Sequence, residues 1–286
     1  MTLIKILIGL GLEYFLGSLD SIRDFGWFDR YSRWFELRCS RHRYWDGPAG
    51  VVVTLLLPLL ALLAVAYVLG KLSAVLVFIL GVAVFVYSLG TDVHALLNRY
   101  REALEQDREE DARDLERALG MEAGTDRPAE EASLEAILFR SHENIFAVLF
   151  WFLVLGMVGA LLYRLAARLD DRFDGIHGGY AEAARDLHRL LMWPSARLQA
   201  LGFGLSGSLV HALEFWRKIP GHSLDCSAAV IGRGGLGAMQ YRSDGGGEDG
   251  ERGYSNWIGE TQALINRTLI IWLTVLGVMT LGGWLG

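Results

Sequence analysis

Apolar residues gather into long runs separated by arginine-rich or acidic stretches, the pattern of helices that alternate between hydrocarbon and water. Residues 50–69 and 72–89 are the clearest runs, with only Gly70 and Lys71 between them. Each has close to the ~20 apolar residues that a helix rising about 1.5 Å per residue needs to cross a bilayer. They are expected to form a tight antiparallel pair, kinked but not ended at Pro58. Residues 2–19, apolar apart from Lys5 and Glu13, predict a first crossing, and 268–286, with two Trp, a last one.

The run at 145–163 is different: Gly156 and Gly159 interrupt its midpoint, and charged residues flank both ends. A reversal at these glycines predicts a re-entrant hairpin over 144–175, with half-helices of about eleven residues reaching mid-membrane. It would bring His142, Glu143 and Asn144 to the same face as Tyr163, Arg164, Asp170 and Asp171. Non-helical backbone at that depth is tolerated only when packed inside protein, so the hairpin needs helices around it.

Between the runs, 20–49 interleaves aromatic rings such as Trp27, Tyr31 and Trp34 with six Arg, as an element lying along the headgroup layer would. Residues 91–119 read as a polar helix, 102–135 as mainly acidic, Arg127-Pro128 as a turn and 130–140 as a helix leading into the hairpin. After the glycines of 175–179, residues 180–192 predict an amphipathic helix, broken at Trp193-Pro194-Ser195 before another begins near Pro194. Residues 196–215 are apolar but dotted with Gly and Ser and interrupted by His211, which leaves a crossing there open. The span 219–253 holds the glycine run 232–237, GRGGLG, and a polar, glycine-rich 243–253 expected to be disordered.

The fold expected is all-α: a polytopic membrane protein with about four transmembrane helices, a re-entrant hairpin and amphipathic cytoplasmic helices. It forms one membrane domain over 1–286, with a cytoplasmic helical segment at 91–143 and a cytoplasmic or interfacial one at 176–267. Loops 20–49 and 91–143, with six and seven Arg, must share a side, and positive-inside places them in the cytoplasm. A hairpin that returns keeps the twelve Lys and Arg of 164–267 there as well, leaving both termini periplasmic.

Composition narrows the class further. More than half of the 286 residues are apolar and mean hydropathy is positive, which points away from a water-soluble enzyme. Cys39 and Cys226 offer neither a disulfide framework nor zinc spacing, and the net charge of −6 makes nucleic acid an unsuitable partner. The N-terminus has one Lys and no small-residue cleavage site, and is expected to be retained.

Candidate chemistry gathers at the ends of the runs. Asp92 and His94 stand where the third helix emerges. His142-Glu143-Asn144 offers an acid beside an imidazole, suited to base catalysis or to Mg²⁺, and equally suited to capping a helix start. Tyr163 and Asp170, seven apart, share a helix face, and Arg164, Arg168 and Arg172 form a stripe beside it, suited to lipid headgroups or to a phosphate ligand. The candidate ligand- or metal-facing set is thus Asp92, His94, His142, Glu143, Asn144, Tyr163, Arg164 and Asp170. The glycine run could present N–H groups to an anion, but GxxxxGK[ST], GxSxG and HExxH are all absent.

The segment His142-Glu143-x-x-Phe146-x-Val148-Leu149-Phe150-Trp151-Phe152, with Leu155-Gly156-x-x-Gly159-Ala160-Leu161-Leu162-Tyr163-Arg164 and the later Trp193-Pro194-x-x-Arg197-Leu198, resembles the AmpE family. That resemblance implies a multi-pass protein of the bacterial inner membrane, in signalling linked to peptidoglycan recycling and inducible β-lactamase, with a muropeptide or similar cell-wall-derived ligand. The same segments, with His94-Ala95 and Leu169-Asp170, more distantly resemble the CobD/CbiB family of ATP-dependent amide-forming ligases acting on a corrinoid acid. Where those ligases carry a Glu-Asn pair this chain has Phe139 and Arg140, and Val148 replaces their Pro, which favours the AmpE branch. The rival readings are a ligase using Mg-ATP through Asp92, Glu143 and Asp170, and a transporter of a small anionic ligand; homo-oligomers are compatible with all three.

Overall fold

The computed structural model describes residues 2–16, 23–39, 45–106, 108–119, 129–217, 224–241 and 250–282, and most of these are helical, with no strand among them. Among these residues twelve α-helices run in the order α1 (Thr2–Leu16), α2 (Gly26–Cys39), α3 (Pro48–Leu72), α4 (Ala74–Ser88), α5 (Val93–Glu105), α6 (Glu109–Leu119), α7 (Ala129–Ser141), α8 (Ala147–Arg172), α9 (Gly179–Ser206), α10 (Leu209–Arg217), α11 (Ser227–Met239) and α12 (Gly250–Leu281). A π-helical turn, His142–Phe146, joins α7 to α8. Among the described residues, four stretches are long and apolar enough to cross a membrane: Pro48–Leu72, Ala74–Ala103, Glu130–Arg172 and Asn256–Leu281. The chain is an all-α polytopic membrane protein.

It divides into two compact units, one of Met1–Gly90 with Ala147–Met192 and Leu285–Gly286, the other of Thr91–Phe146 with Trp193–Trp284. In the first unit, α3 and α4 are the expected pair, but the turn lies at Ser73 rather than at Gly70–Lys71. Gly70 and Lys71 complete the last turn of α3, whereas Ser73 is extended and its Oγ accepts the Val75 N–H at 3.2 Å, capping α4. Pro58 sits within α3 without ending it. Helix α1 lies against α4 so closely that a Cβ on Gly9 would stand 2.6 Å from the Phe85 ring. At 15 residues, or about 22 Å, α1 is shorter than the ~30 Å hydrocarbon core, so the crossing expected at 2–19 is not among the four.

The reversal in α8 occurs at Gly156, whose φ of 64° and ψ of −152° lie where essentially only glycine is found. A Cβ on Gly159 would stand 2.3 Å from the Trp151 carbonyl oxygen, although eight residues of straight helix would separate the two by about 12 Å. Phe152 packs on Phe85 at 4.8 Å and Arg164 Nε donates to the Ser88 carbonyl at 2.6 Å, so residues twelve apart on α8 meet neighbouring turns of α4. The arms are unequal, 147–155 and 157–172, rather than the matched half-helices expected.

Helix α9 runs through Pro194 without the break expected at 193–195. Proline removes one N–H from the ladder, and the Trp151 indole N–H supplies a donor nearby, to the Leu191 carbonyl at 2.9 Å. Tyr180, at its start, donates to Thr54 Oγ1 at 2.9 Å, and burial pushes its phenol above the usual tyrosine range.

In the second unit the glycine run is helical and buried, in α11, and not the loop expected. Added Cβ atoms at Gly232 and Gly235 would stand 2.8 Å from Glu135 and 2.6 Å from Leu138 on α7, and one at Gly234 would stand 3.3 Å from Ala200 on α9. The glycines thus serve close helix packing, and their N–H groups are spent on the helix itself. Residues 91–119 form two helices, α5 and α6, instead of one. The stretch 196–215 is divided by a break at 207–208, and the last crossing starts earlier than 268, within α12. The turn at Arg127-Pro128 and most of the disorder expected over 243–253 fall outside the described residues; Gly250 already begins α12.

Candidate functional site

In the second unit, His142 is fully buried in the π-helical turn. Its Nδ1 is 2.8 Å from Gln199 Oε1 and its Nε2 is 3.2 Å from Ser195 Oγ, both on α9 and both fully buried. Serine beside histidine suggests a nucleophile and base, but with no surface open to solvent the trio serves as a polar tie between the turn and α9. Glu143 Oε2 pairs with Arg140 Nη1 at 3.0 Å, and Asn144 Nδ2 donates to the Thr91 carbonyl at 3.0 Å. Asp92 Oδ1 accepts the N–H groups of His94 and Ala95 at 2.9 and 3.2 Å, the work of a helix N-cap. His94 Nδ1 lies 3.1 Å from Gln262 Nε2 on α12.

In the first unit, Tyr163 and Asp170 do share a face, and both meet a residue that the sequence reading passed over. His188 Nδ1 is 2.8 Å from Asp170 Oδ2, and its ring lies 5.6 Å from that of Tyr163. Arg185 Nε stands 3.9 Å from the other Asp170 oxygen. The imidazole is buried and the carboxylate is one-quarter exposed, so Asp170 is the solvent-facing end of an acid–imidazole pair. The signal was present in the sequence: Ala181, Ala184, His188 and Leu191 recur at helical spacing on the buried side of α9, an apolar stripe with one imidazole in it.

A second polar feature of this unit is a cavity of about 430 Å³ lined by Asp29 and Arg33 of α2 and by Arg168, Asp171 and Arg172 of α8. Arg172 is tied to Ser32 Oγ and, at 2.7 Å, to Glu36 Oε2. Arg168 stacks on the Phe25 ring, 5.2 Å from its centre.

The eight candidates thus fall five to the second unit (Asp92, His94, His142, Glu143, Asn144) and three to the first (Tyr163, Arg164, Asp170). Each of the acids expected to hold Mg²⁺ already has a partner within its own unit. Asp92 caps a helix, Glu143 is paired with Arg140 and Asp170 with His188, and no group of three His, Cys, Asp or Glu suited to a metal occurs among the described residues.

A family model described as CobD/Cbib protein matches residues 6–228. Among curated proteins, "Cobalamin biosynthesis protein CobD" of Chromobacterium violaceum is 32% identical over 174 residues, covering 53% of this chain and 52% of that protein. The protein of the same name from Stutzerimonas stutzeri is 36% identical over 89 residues, 30% of this chain and 29% of that one. The first alignment thus takes in about half the length of the relative it matches. No solved structure matches. These matches overturn the AmpE reading, and with it the expected role in β-lactamase regulation and peptidoglycan recycling and the basis for a muropeptide ligand. That reading gave too much weight to single departures, at Phe139, Arg140 and Val148, against a family match that extends over residues 6–228. From its sixth residue to well beyond the hairpin, this chain belongs to the CobD/Cbib protein family.

Proposed function

We propose that this protein works in cobalamin biosynthesis as a membrane ligase, joining a corrinoid carboxylate to the amine of an aminopropanol group with consumption of ATP. The observation that carries the reading is the family match over residues 6–228, which takes in the hairpin, Asp170 and His188. Amide formation requires the carboxylate to be activated and the amine to lose a proton. ATP supplies the activation as a substrate, and a divalent metal would accompany its phosphates. Asp170 offers a partly exposed carboxylate backed by the buried His188, a place for the amine's proton to go, with Arg185 beside it. We place the protein in the bacterial inner membrane, with the arginine-rich segments in the cytoplasm, where nucleotide is found.

The test is turnover by the full-length protein in nanodiscs, given ATP, a corrinoid acid and aminopropanol or its phosphate, with the corrinoid amide detected by mass spectrometry. Amide that appears only with ATP is expected, together with a drop of at least about 100-fold in kcat for Asp170→Asn at unchanged melting temperature. No amide from any of these substrate combinations would refute the ligase assignment, and full activity in Asp170→Asn would refute the role given to that residue.

A further inference from the structure

The cavity between α2 and α8 holds opposite charges apart. Among the described residues, Arg33 makes only a 3.4 Å contact from its Nε to the Asp29 carbonyl, Arg168 stacks on Phe25 with no hydrogen bond or ion pair, and the Asp29 carboxylate has no ion pair. Side chains of opposite sign around one space normally collapse onto each other; here two guanidinium groups and a carboxylate face a shared void of about 430 Å³. A ligand carrying both a phosphate and an ammonium would complete such a set, whereas a simple anion would be repelled by Asp29 and Asp171.

The position of α2 names the source. Tyr31 Oη donates to the Thr54 carbonyl at 3.2 Å, which fixes the middle of α2 beside the second turn of α3. The exposed apolar band of α3, Val52, Val53, Leu56 and Leu57, begins at that level. The outer face of α2 carries Trp34 at 61% and Leu37 at 82% exposure, with Arg30 and Arg38 exposed among them, as suits the boundary between headgroups and acyl chains.

We propose that this cavity binds the headgroup of a phosphatidylethanolamine-type lipid, the phosphate held by Arg33 and Arg168 and the primary ammonium by Asp29 and Asp171. The assignment stands independently of the ligase reading. Arginine forks bind the phosphodiester oxygens, and the carboxylates select an ammonium that still carries N–H donors over a quaternary one.

Native mass spectrometry of the full chain, released from nanodiscs of equimolar phosphatidylethanolamine, phosphatidylglycerol and phosphatidylcholine, tests this. Phosphatidylethanolamine should be retained over each of the others, and Arg33→Gln with Arg168→Gln should reduce its retention at least about tenfold. Asp29→Asn should keep bound phospholipid but abolish the preference for ethanolamine over choline. Arg30→Gln with Arg38→Gln, on the same helix but not lining the cavity, should leave the wild-type pattern. If the arginine pair fails to fold, as shown by gel filtration and circular dichroism, Asp29→Asn alone decides. Equal or better retention of phosphatidylglycerol, or a preference that survives Asp29→Asn, overturns the proposal. So does soluble phosphoethanolamine that displaces the lipid, since the ligand would then be a free organophosphate.

Discussion

An imidazole with no solvent around it must find its hydrogen-bond partners inside the protein, and His142 and His188, buried among the described residues, do so in different ways. His142 is held on both nitrogens by neutral groups, Gln199 and Ser195, within a fully buried set. His142→Ala removes a buried partner from each, so a loss of about 2–4 kcal/mol is expected. Urea unfolding followed by tryptophan fluorescence in detergent would measure it, and an unchanged midpoint would show that the trio is not a tie. His188 is bound to a carboxylate that reaches water, so its substitution should act on function as well. His188→Gln, which keeps a polar group of similar reach, should spare folding, yet it should lower kcat in the ligase assay more than it raises KM. Sequence spacing alone placed Tyr163 and Asp170 on one face, because seven residues are nearly two helical turns. It could not supply His188, eighteen residues further on, because only the packing of α9 on α8 brings the two together.

At the scale of elements, glycine does three separate things in this chain. Gly156 permits a backbone conformation, and Gly156→Ala should cost about 1–3 kcal/mol through strain alone. Gly159, Gly232 and Gly235 permit close approach, and a larger residue such as Val at 159 would have to displace the Trp151 backbone. That variant should lose about 3 kcal/mol or more, or fail to fold. Gly259 and Gly277 on α12 have open space where a Cβ would sit, so Ala at either should be neutral or stabilising by up to about 1 kcal/mol. Thermal unfolding of the set would check this ranking, and an Ala at 259 that destabilises as much as one at 156 would contradict it. The paired glycines at 156 and 159 stood out within an apolar run and marked the reversal. The glycines of 232–237 stood out equally and suggested a loop, because composition does not distinguish a flexible glycine from one that makes room for a neighbouring helix. Pro194 misled for a related reason: a lost N–H breaks a helix in isolation, while among buried neighbours such as Met192, Ser195 and Ala196 the helix α9 continues through it.

At the scale of the whole molecule, the pattern of exposure is that of a protein whose outer surface faces lipid. Leu60, Leu63, Val68, Val75, Ile79, Val275 and Val278, all on stretches long enough to cross a membrane, are large, apolar and exposed. The 25 residues of α3, about 37 Å of helix, separate α2 from the Ser73 turn. Cysteines placed at 34 and 73 should therefore react with an impermeant maleimide from opposite sides of inverted and right-side-out vesicles. On the positive-inside reading the first is cytoplasmic. Labelling of both from one side would mean that α3 does not cross.

The sequence by itself determined the membrane class, the all-helical fold, the α3–α4 pair and the place where α8 turns back. Each follows from local periodicity, run length or a residue with a unique backbone range, and so can be read within a window of twenty residues. Which polar groups are spent on structure and which remain for chemistry was decided only by tertiary packing. Asp92, His142 and Glu143 look as available as Asp170 along the chain, and only folding consumes the first in a cap, the second in a buried network and the third in an ion pair. Hydrogen-bond partners lie up to 168 residues away, as Gln262 does from His94, and no local pattern encodes a contact of that range.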